Sequence, residues 1–131
     1  MLTLSGEVVE GMQAGQRFLS KPSYQNRIKK EIGFVPFPGT LNLHVNEKEW
    51  LLLKTKLHKI SVPTFTENNQ SFGGFDLYRI QLPNKSAGAI IIPLRTSHPA
   101  YIIEIIAPFS LREKFGLKNA SVFNIQLSVE K

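Results

Sequence analysis

Eight prolines and nine glycines cut this chain into short runs rich in β-branched and aromatic residues. Punctuation at that density suits strands joined by turns, because proline and glycine break helix interiors and are at home in turns. Residues 2–9 form a first strand candidate that ends at Gly11. Residues 40–45 alternate, so Leu41, Leu43 and Val45 face one way and Thr40, Asn42 and His44 the other. Residues 60–65 and 72–82 flank a polar tip at 66–70 and read as a hairpin, and residues 87–93, 101–106 and 121–129 complete the set.

Two stretches depart from this pattern. Tyr24, Ile28 and Ile32 recur at helical spacing and are followed by Gly33, an amphipathic helix with a glycine stop. Ser110 and Glu113 match a capping box that opens a second short helix. With 131 residues, 42% of them apolar, the chain supports one core and one domain over residues 1–131. The expected fold is all-β with one or two short helices, most simply a closed barrel that leaves no sheet edge.

Composition removes several kinds of chemistry. The absence of cysteine excludes a disulfide scaffold, a thiolate metal centre and a cysteine nucleophile. Sixteen basic residues against ten acidic ones give a net charge of +6, which favours anionic partners without choosing among them. The start of the chain does not read as a signal peptide and the longest apolar runs fall far short of a bilayer span. A soluble, cytoplasmic protein with no membrane partner is expected.

Templates for a P-loop, a G-x-S-x-G elbow and an H-E-x-x-H zinc site do not occur. His44, His58 and His98 are isolated in sequence and read as ordinary surface or core histidines. Gly11 and Gly15 bracket a strand-ending loop whose amides could approach a phosphate, or which simply turns. Pro36, Pro38 and Gly39 stiffen the approach to Thr40 and Asn42. Those two neutral oxygens are a poor Mg²⁺ cage unless phosphates supply the negative charge, and otherwise the segment is a turn feeding a half-exposed strand. Glu104 interrupts an isoleucine strand, sharing a face with Ile102 and Ile106. A carboxylate there must be paired with a basic residue, shifted in pKa or exposed to a ligand cavity. Lys21, Arg27, Lys29 and Lys30, and separately Lys54, Lys56 and Lys59, form basic groups that match no nucleic-acid motif, so no nucleic-acid partner is expected.

Four blocks in order carry a family likeness: Gly6 to Gly11 with Gly15 and Phe18-Leu19-Ser20; Gly33-Phe34 with Pro36 and Gly39-Thr40-Leu41-Asn42-Leu43; Gly88 to Pro93; and Ile102 to Pro108 followed by Leu111-Arg112-Glu113. On these, the chain resembles the archaeal CTP-dependent riboflavin kinases along nearly its whole length. The resemblance implies a six-stranded cradle-loop β-barrel that transfers the γ-phosphoryl of CTP to riboflavin, giving FMN and CDP. It implies that Gly11, Met12, Gln13, Ala14, Gly15 and Gln16 bind the nucleotide, completed by Phe109, Ser110, Leu111 and Arg112. It further implies Mg²⁺ held by Thr40 and Asn42, and flavin contacts from Thr96 and Glu104; the setting of Glu104 in its strand adds the expectation that it takes the proton of the attacking hydroxyl. The loop departs from the family pattern at Gln13, usually glycine, and at Gln16, with Arg17 one place beyond the usual basic position. Some members carry an N-terminal DNA-binding domain, for which this length leaves no room, so transcriptional regulation is not expected. The reading from another class is a non-catalytic barrel that binds flavin, nucleotide or nucleic acid through its basic surface.

Overall fold

The computed structural model describes residues 1–11, 18–95 and 98–129. Nine strands and three helices follow in the order β1 (Leu2–Val9), α1 (Pro22–Ile32), β2 (Leu41–Val45), α2 (Glu47–Lys54), β3 (Ile60–Val62), β4 (Phe65–Glu67), β5 (Gln70–Phe72), β6 (Phe75–Gln81), β7 (Ala87–Pro93), β8 (Ile102–Ile106), α3 (Leu111–Phe115) and β9 (Val122–Leu127). Every strand pairing is antiparallel. The ladder runs β6-β7-β8-β2-β1-β9, and β9 returns to β6 through Ile80 and Gln81, closing six strands into a barrel. The other half of the same β6 edge, Phe75 to Leu77, takes β3 as an extra strand.

Closure explains why so many strand residues are buried on both faces. Leu4, Val8, Leu43, Ile103, Ile105 and Ile125 point into the barrel. On the outer face of β6, β7 and β8 a second cluster joins Phe75, Ile91 and Ile106 to Tyr24 and Ile28 of α1. Helix α1 opens on Pro22, whose fixed φ suits a first turn, and stops at Gly33 with φ +87°, the left-handed geometry that admits glycine. Helix α3 is capped as expected, with Ser110 Oγ accepting the Glu113 amide at 3.4 Å.

Two expectations are corrected. There are three helices rather than one or two, because Glu47–Lys54 is helical. Its four consecutive apolar residues, Trp50 to Leu53, carry no helical period, so only the cap betrays it: Asn46 Oδ1 accepts the Glu49 amide at 2.9 Å. The hairpin expected over residues 60–82 divides into β3 on β6 and a separate β4–β5 pair turning at Asn68 and Asn69, both with positive φ. The ladder breaks where Pro63 lacks a donor and Gly74 passes so close to the Val62 carbonyl that no side chain fits. Among the described residues no helix is long and apolar enough to cross a membrane.

Candidate active site

One row of the barrel wall carries the chemistry. Register places Val9 of β1 opposite Asn42 of β2, Asn42 opposite Glu104 of β8, and Glu104 opposite Ile91 of β7. All four lie on the outer face of the wall, since Leu41, Leu43, Ile103 and Ile105 alternate with them into the barrel. Asn42 and Glu104 are nevertheless only 5% and 6% exposed, the two buried polar residues of the described chain. This corrects the half-exposed strand that alternation alone offers for residues 40–45.

The three polar side chains form a short chain of contacts. Thr40 Oγ1 donates to Glu104 Oε1 at 3.1 Å, and Asn42 Nδ2 donates to Thr40 Oγ1 at 3.5 Å. Glu104 Oε2 faces His98 Nε2 at 3.8 Å. Burial pushes the Glu104 carboxyl above the usual carboxylate range, and His98 and the Thr40 hydroxyl partly offset it. The partner of this carboxylate is thus a histidine and a threonine, where a lysine or arginine had been the expected alternative to a ligand.

Asn42 Oδ1 is buried and has no hydrogen-bond partner among the described residues. An acceptor left in that state costs the fold about 1–3 kcal/mol, so it calls for a ligand donor or a cation. Gly11 makes the arrangement possible. A Cβ there would overlap the Asn42 amide, so only glycine lets the chain leave β1 across that side chain.

Two cavities lie on either side of the Thr40–Glu104 contact. One, about 120 Å³, is lined by Phe37, Gly39, Thr40, Phe109, Ser110 and Arg112 among others. The second, about 210 Å³, is lined by Trp50, Leu51, Lys54, Ile92, His98 and Glu104 among others. Thr40 belongs to the first and Glu104 to the second, and the 3.1 Å hydrogen bond between them joins the two. Arg112 reaches from α3 to Asn119 Oδ1 at 2.9 Å and to the Val9 carbonyl at 3.4 Å, tying the first cavity to the end of β1.

The structure therefore brings together Gly11, Thr40, Asn42, Glu104 and the segment Phe109, Ser110, Leu111, Arg112. Met12, Gln13, Ala14, Gly15, Gln16 and Thr96 lie outside the described residues. Sequence reasoning missed His98, Phe37 and the α2 residues Trp50 and Lys54. No periodicity marks the first two, and α2 carries only a cap signal, Asn46 followed by Glu49.

Residues 8–127 match a family model named for the CTP-dependent riboflavin kinase and described as a domain of unknown function, DUF120. The riboflavin kinase of Saccharolobus solfataricus is 38% identical over 131 residues, which covers 98% of this chain and 75% of that protein. The riboflavin kinase of Sulfurisphaera tokodaii is 36% identical over 97% of this chain and 96% of its own length. The chain belongs to the CTP-dependent riboflavin kinase family. Against the riboflavin kinase of Methanosarcina acetivorans, 36% identical, the chain spans about half of the relative, 51%. For a member of this family the lack of any His, Asp and Glu cluster able to hold a metal among the described residues is no obstacle. Phosphoryl transfer rests on positioning and charge neutralisation, not on covalent chemistry by the protein.

Proposed function

We propose that this chain transfers the γ-phosphoryl of CTP to the ribityl 5′-hydroxyl of riboflavin, giving FMN and CDP, across the Thr40–Glu104 contact. It is a kinase, and riboflavin and a nucleotide are its substrates. The observation that carries the site assignment is a pair of cavities whose linings are linked by one hydrogen bond, Thr40 to Glu104. Phosphoryl transfer needs donor and acceptor pockets that open on a shared point, where the reacting oxygens are brought in line.

In this reading the nucleotide occupies the cavity of Phe109 to Arg112, with Gly11 and the loop through Met12, Gln13, Ala14, Gly15 and Gln16 around its phosphates. The flavin occupies the cavity beside Glu104, with Thr96 as a further contact. Thr40 spends its proton on Glu104 Oε1, which fixes the carboxylate and leaves Oε2 on the His98 side. Glu104 takes the proton of the 5′-hydroxyl as that oxygen bonds to the γ-phosphorus and the bond to the β-phosphate oxygen breaks, releasing CDP. A carboxyl raised by burial is better matched to that proton than an ordinary one.

The residues present fit Mg²⁺. Thr40 Oγ1 accepts from the Asn42 amide nitrogen and keeps a further lone pair, Asn42 Oδ1 has no partner among the described residues, and the remaining charge would come from the phosphates. Thr40 and Asn42 would hold the ion, which when bound neutralises the triphosphate charge. The whole described chain serves this one barrel, so a single domain over residues 1–131 working in the cytoplasm suits the reading. A nucleic-acid role gains no support from the basic surface. Arg27 pairs with Glu67 at 3.4 Å and stacks on Phe65, and Arg79 donates to the Glu31 carbonyl, so part of that charge serves the fold.

The test is formation of FMN from riboflavin with CTP or ATP, with Mg²⁺ or with a chelator. FMN is expected with CTP and Mg²⁺ and is expected to vanish with the chelator. No FMN with any nucleoside triphosphate would leave a non-catalytic barrel.

A further inference from the structure

A general base works only when its oxygens are held in place, and a single hydrogen bond does not hold a carboxylate. Thr40 Oγ1 fixes Oε1 of Glu104 at 3.1 Å, which leaves the group free to swing about that oxygen. Oε2 lies 3.8 Å from His98 Nε2. At that distance the pair is a polar contact short of a hydrogen bond, and contacts of this kind at a base tighten when substrate binds. The Glu104 side chain is 7% exposed and the His98 side chain 18%, so water screens the pair weakly. Both line the cavity assigned to the flavin, together with Trp50 and Lys54.

His98 is delivered to this point by a braced segment between β7 and β8. Pro99 follows it and restricts the backbone before it to extended conformations. The Pro99 carbonyl accepts the Ile102 amide at 3.0 Å, and the Tyr101 carbonyl accepts the Val45 amide at 2.8 Å. The Tyr101 ring meets His44 edge-on, with centroids 5.0 Å apart. The segment is thereby tied to β2, the strand that Thr40 leads into, so both groups that touch the Glu104 carboxyl are referenced to one strand. We infer that His98 is a positioning residue: with Thr40 on the other oxygen, it clamps the Glu104 carboxylate in the plane that presents an oxygen to the ribityl 5′-hydroxyl. The inference rests on the kinase reading for the reaction and adds the group that orients its base. His98 acts through Glu104 and not on the flavin, so its removal changes turnover and leaves flavin affinity alone.

The experiment follows FMN formation from riboflavin and CTP, with riboflavin affinity measured separately by calorimetry. It compares the wild type, His98→Ala, His98→Leu, His98→Gln, Glu104→Gln and the double variant of His98→Ala with Glu104→Gln. His98→Ala and His98→Leu, the second filling the space without a donor, are expected to lower kcat by about 10- to 100-fold, the scale of a misplaced reacting group. Riboflavin affinity is expected to stay at the wild-type value, which also shows that the variants fold. His98→Gln returns an N–H donor and is expected to recover most of the loss. In the double variant kcat is expected to equal that of Glu104→Gln, because a clamp does nothing without the group it clamps. Wild-type kcat in His98→Ala and His98→Leu would overturn the inference. So would weakened riboflavin binding with kcat intact, or the full His98→Ala loss repeated on top of Glu104→Gln. In each of those cases the wild type still makes FMN and the kinase reading stands. A wild type that makes no FMN with any nucleoside triphosphate would sink that reading and the inference with it.

Discussion

Two regions of this molecule bury polar atoms, and they do so on opposite terms. In the aromatic cluster under α1, the Tyr24 hydroxyl is buried but donates to the Gly73 carbonyl at 3.1 Å, and the ring meets Phe18, Phe65 and Phe72 edge-on. Among the described residues, no buried polar side-chain atom of this cluster lacks a partner. On the β2–β8 wall, Asn42 Oδ1 is unpartnered and the Glu104 carboxyl is pushed up by burial. The cluster has the composition of a region selected for stability. The wall carries costs that folding alone would have removed, and such costs persist where a ligand uses them.

That contrast can be broken most sharply at Glu104. Glu104→Gln keeps the shape and is expected to lower FMN formation by about 100-fold or more, the scale of a lost general base. Wild-type turnover in this variant would remove the proton role. The same variant tests the electrostatic half of the contrast. Because the carboxyl is raised, the folded chain keeps its proton where the unfolded chain has lost it. Stability from this group is therefore full below the ordinary carboxylate range and is lost as pH climbs through the raised value. Thermal midpoints of Glu104→Gln should gain on wild type as pH rises above the ordinary carboxylate range, and parallel curves would show no burial cost.

A smaller effect is expected at the edge of the wall. Gly11→Ala places a Cβ against the Asn42 amide and displaces it, so turnover should drop by about 10- to 100-fold, the scale of misplacing a ligand-holding group. Full activity would show that the Asn42 position is not critical. The smallest effect belongs to the cluster. Tyr24→Phe deletes the bond to Gly73 and should cost about 1 kcal/mol in denaturant unfolding with kcat unchanged. Lost turnover without lost stability there would erase the distinction between the two regions.

The same contrast governs what could be read from sequence. The barrel strands were legible because alternation and Gly/Pro punctuation are local, and α1 because Tyr24 and Ile28 keep helical spacing up to Gly33. Helix α2 was not, since Trp50 to Leu53 are apolar without a period. The split of the expected hairpin depends on Gly74 packing against Val62, a contact between segments. At the site, Glu104 announced itself as a charge inside an isoleucine strand, and Thr40 and Asn42 through the family likeness. The burial of Asn42 did not, because it comes from Gly11 crossing over it from another strand. His98 and Phe37 gave no local signal, and only the folded chain brings them to the two cavities.

The central claim is that Asn42 is kept for a ligand and not for the fold. Asn42→Leu replaces the orphaned acceptor with an apolar group of similar size, so its thermal midpoint and its FMN formation from CTP can be measured on one sample. The account predicts a midpoint equal to or above wild type with turnover down by about 100-fold or more. A variant that unfolds earlier while making FMN at the wild-type rate would contradict it.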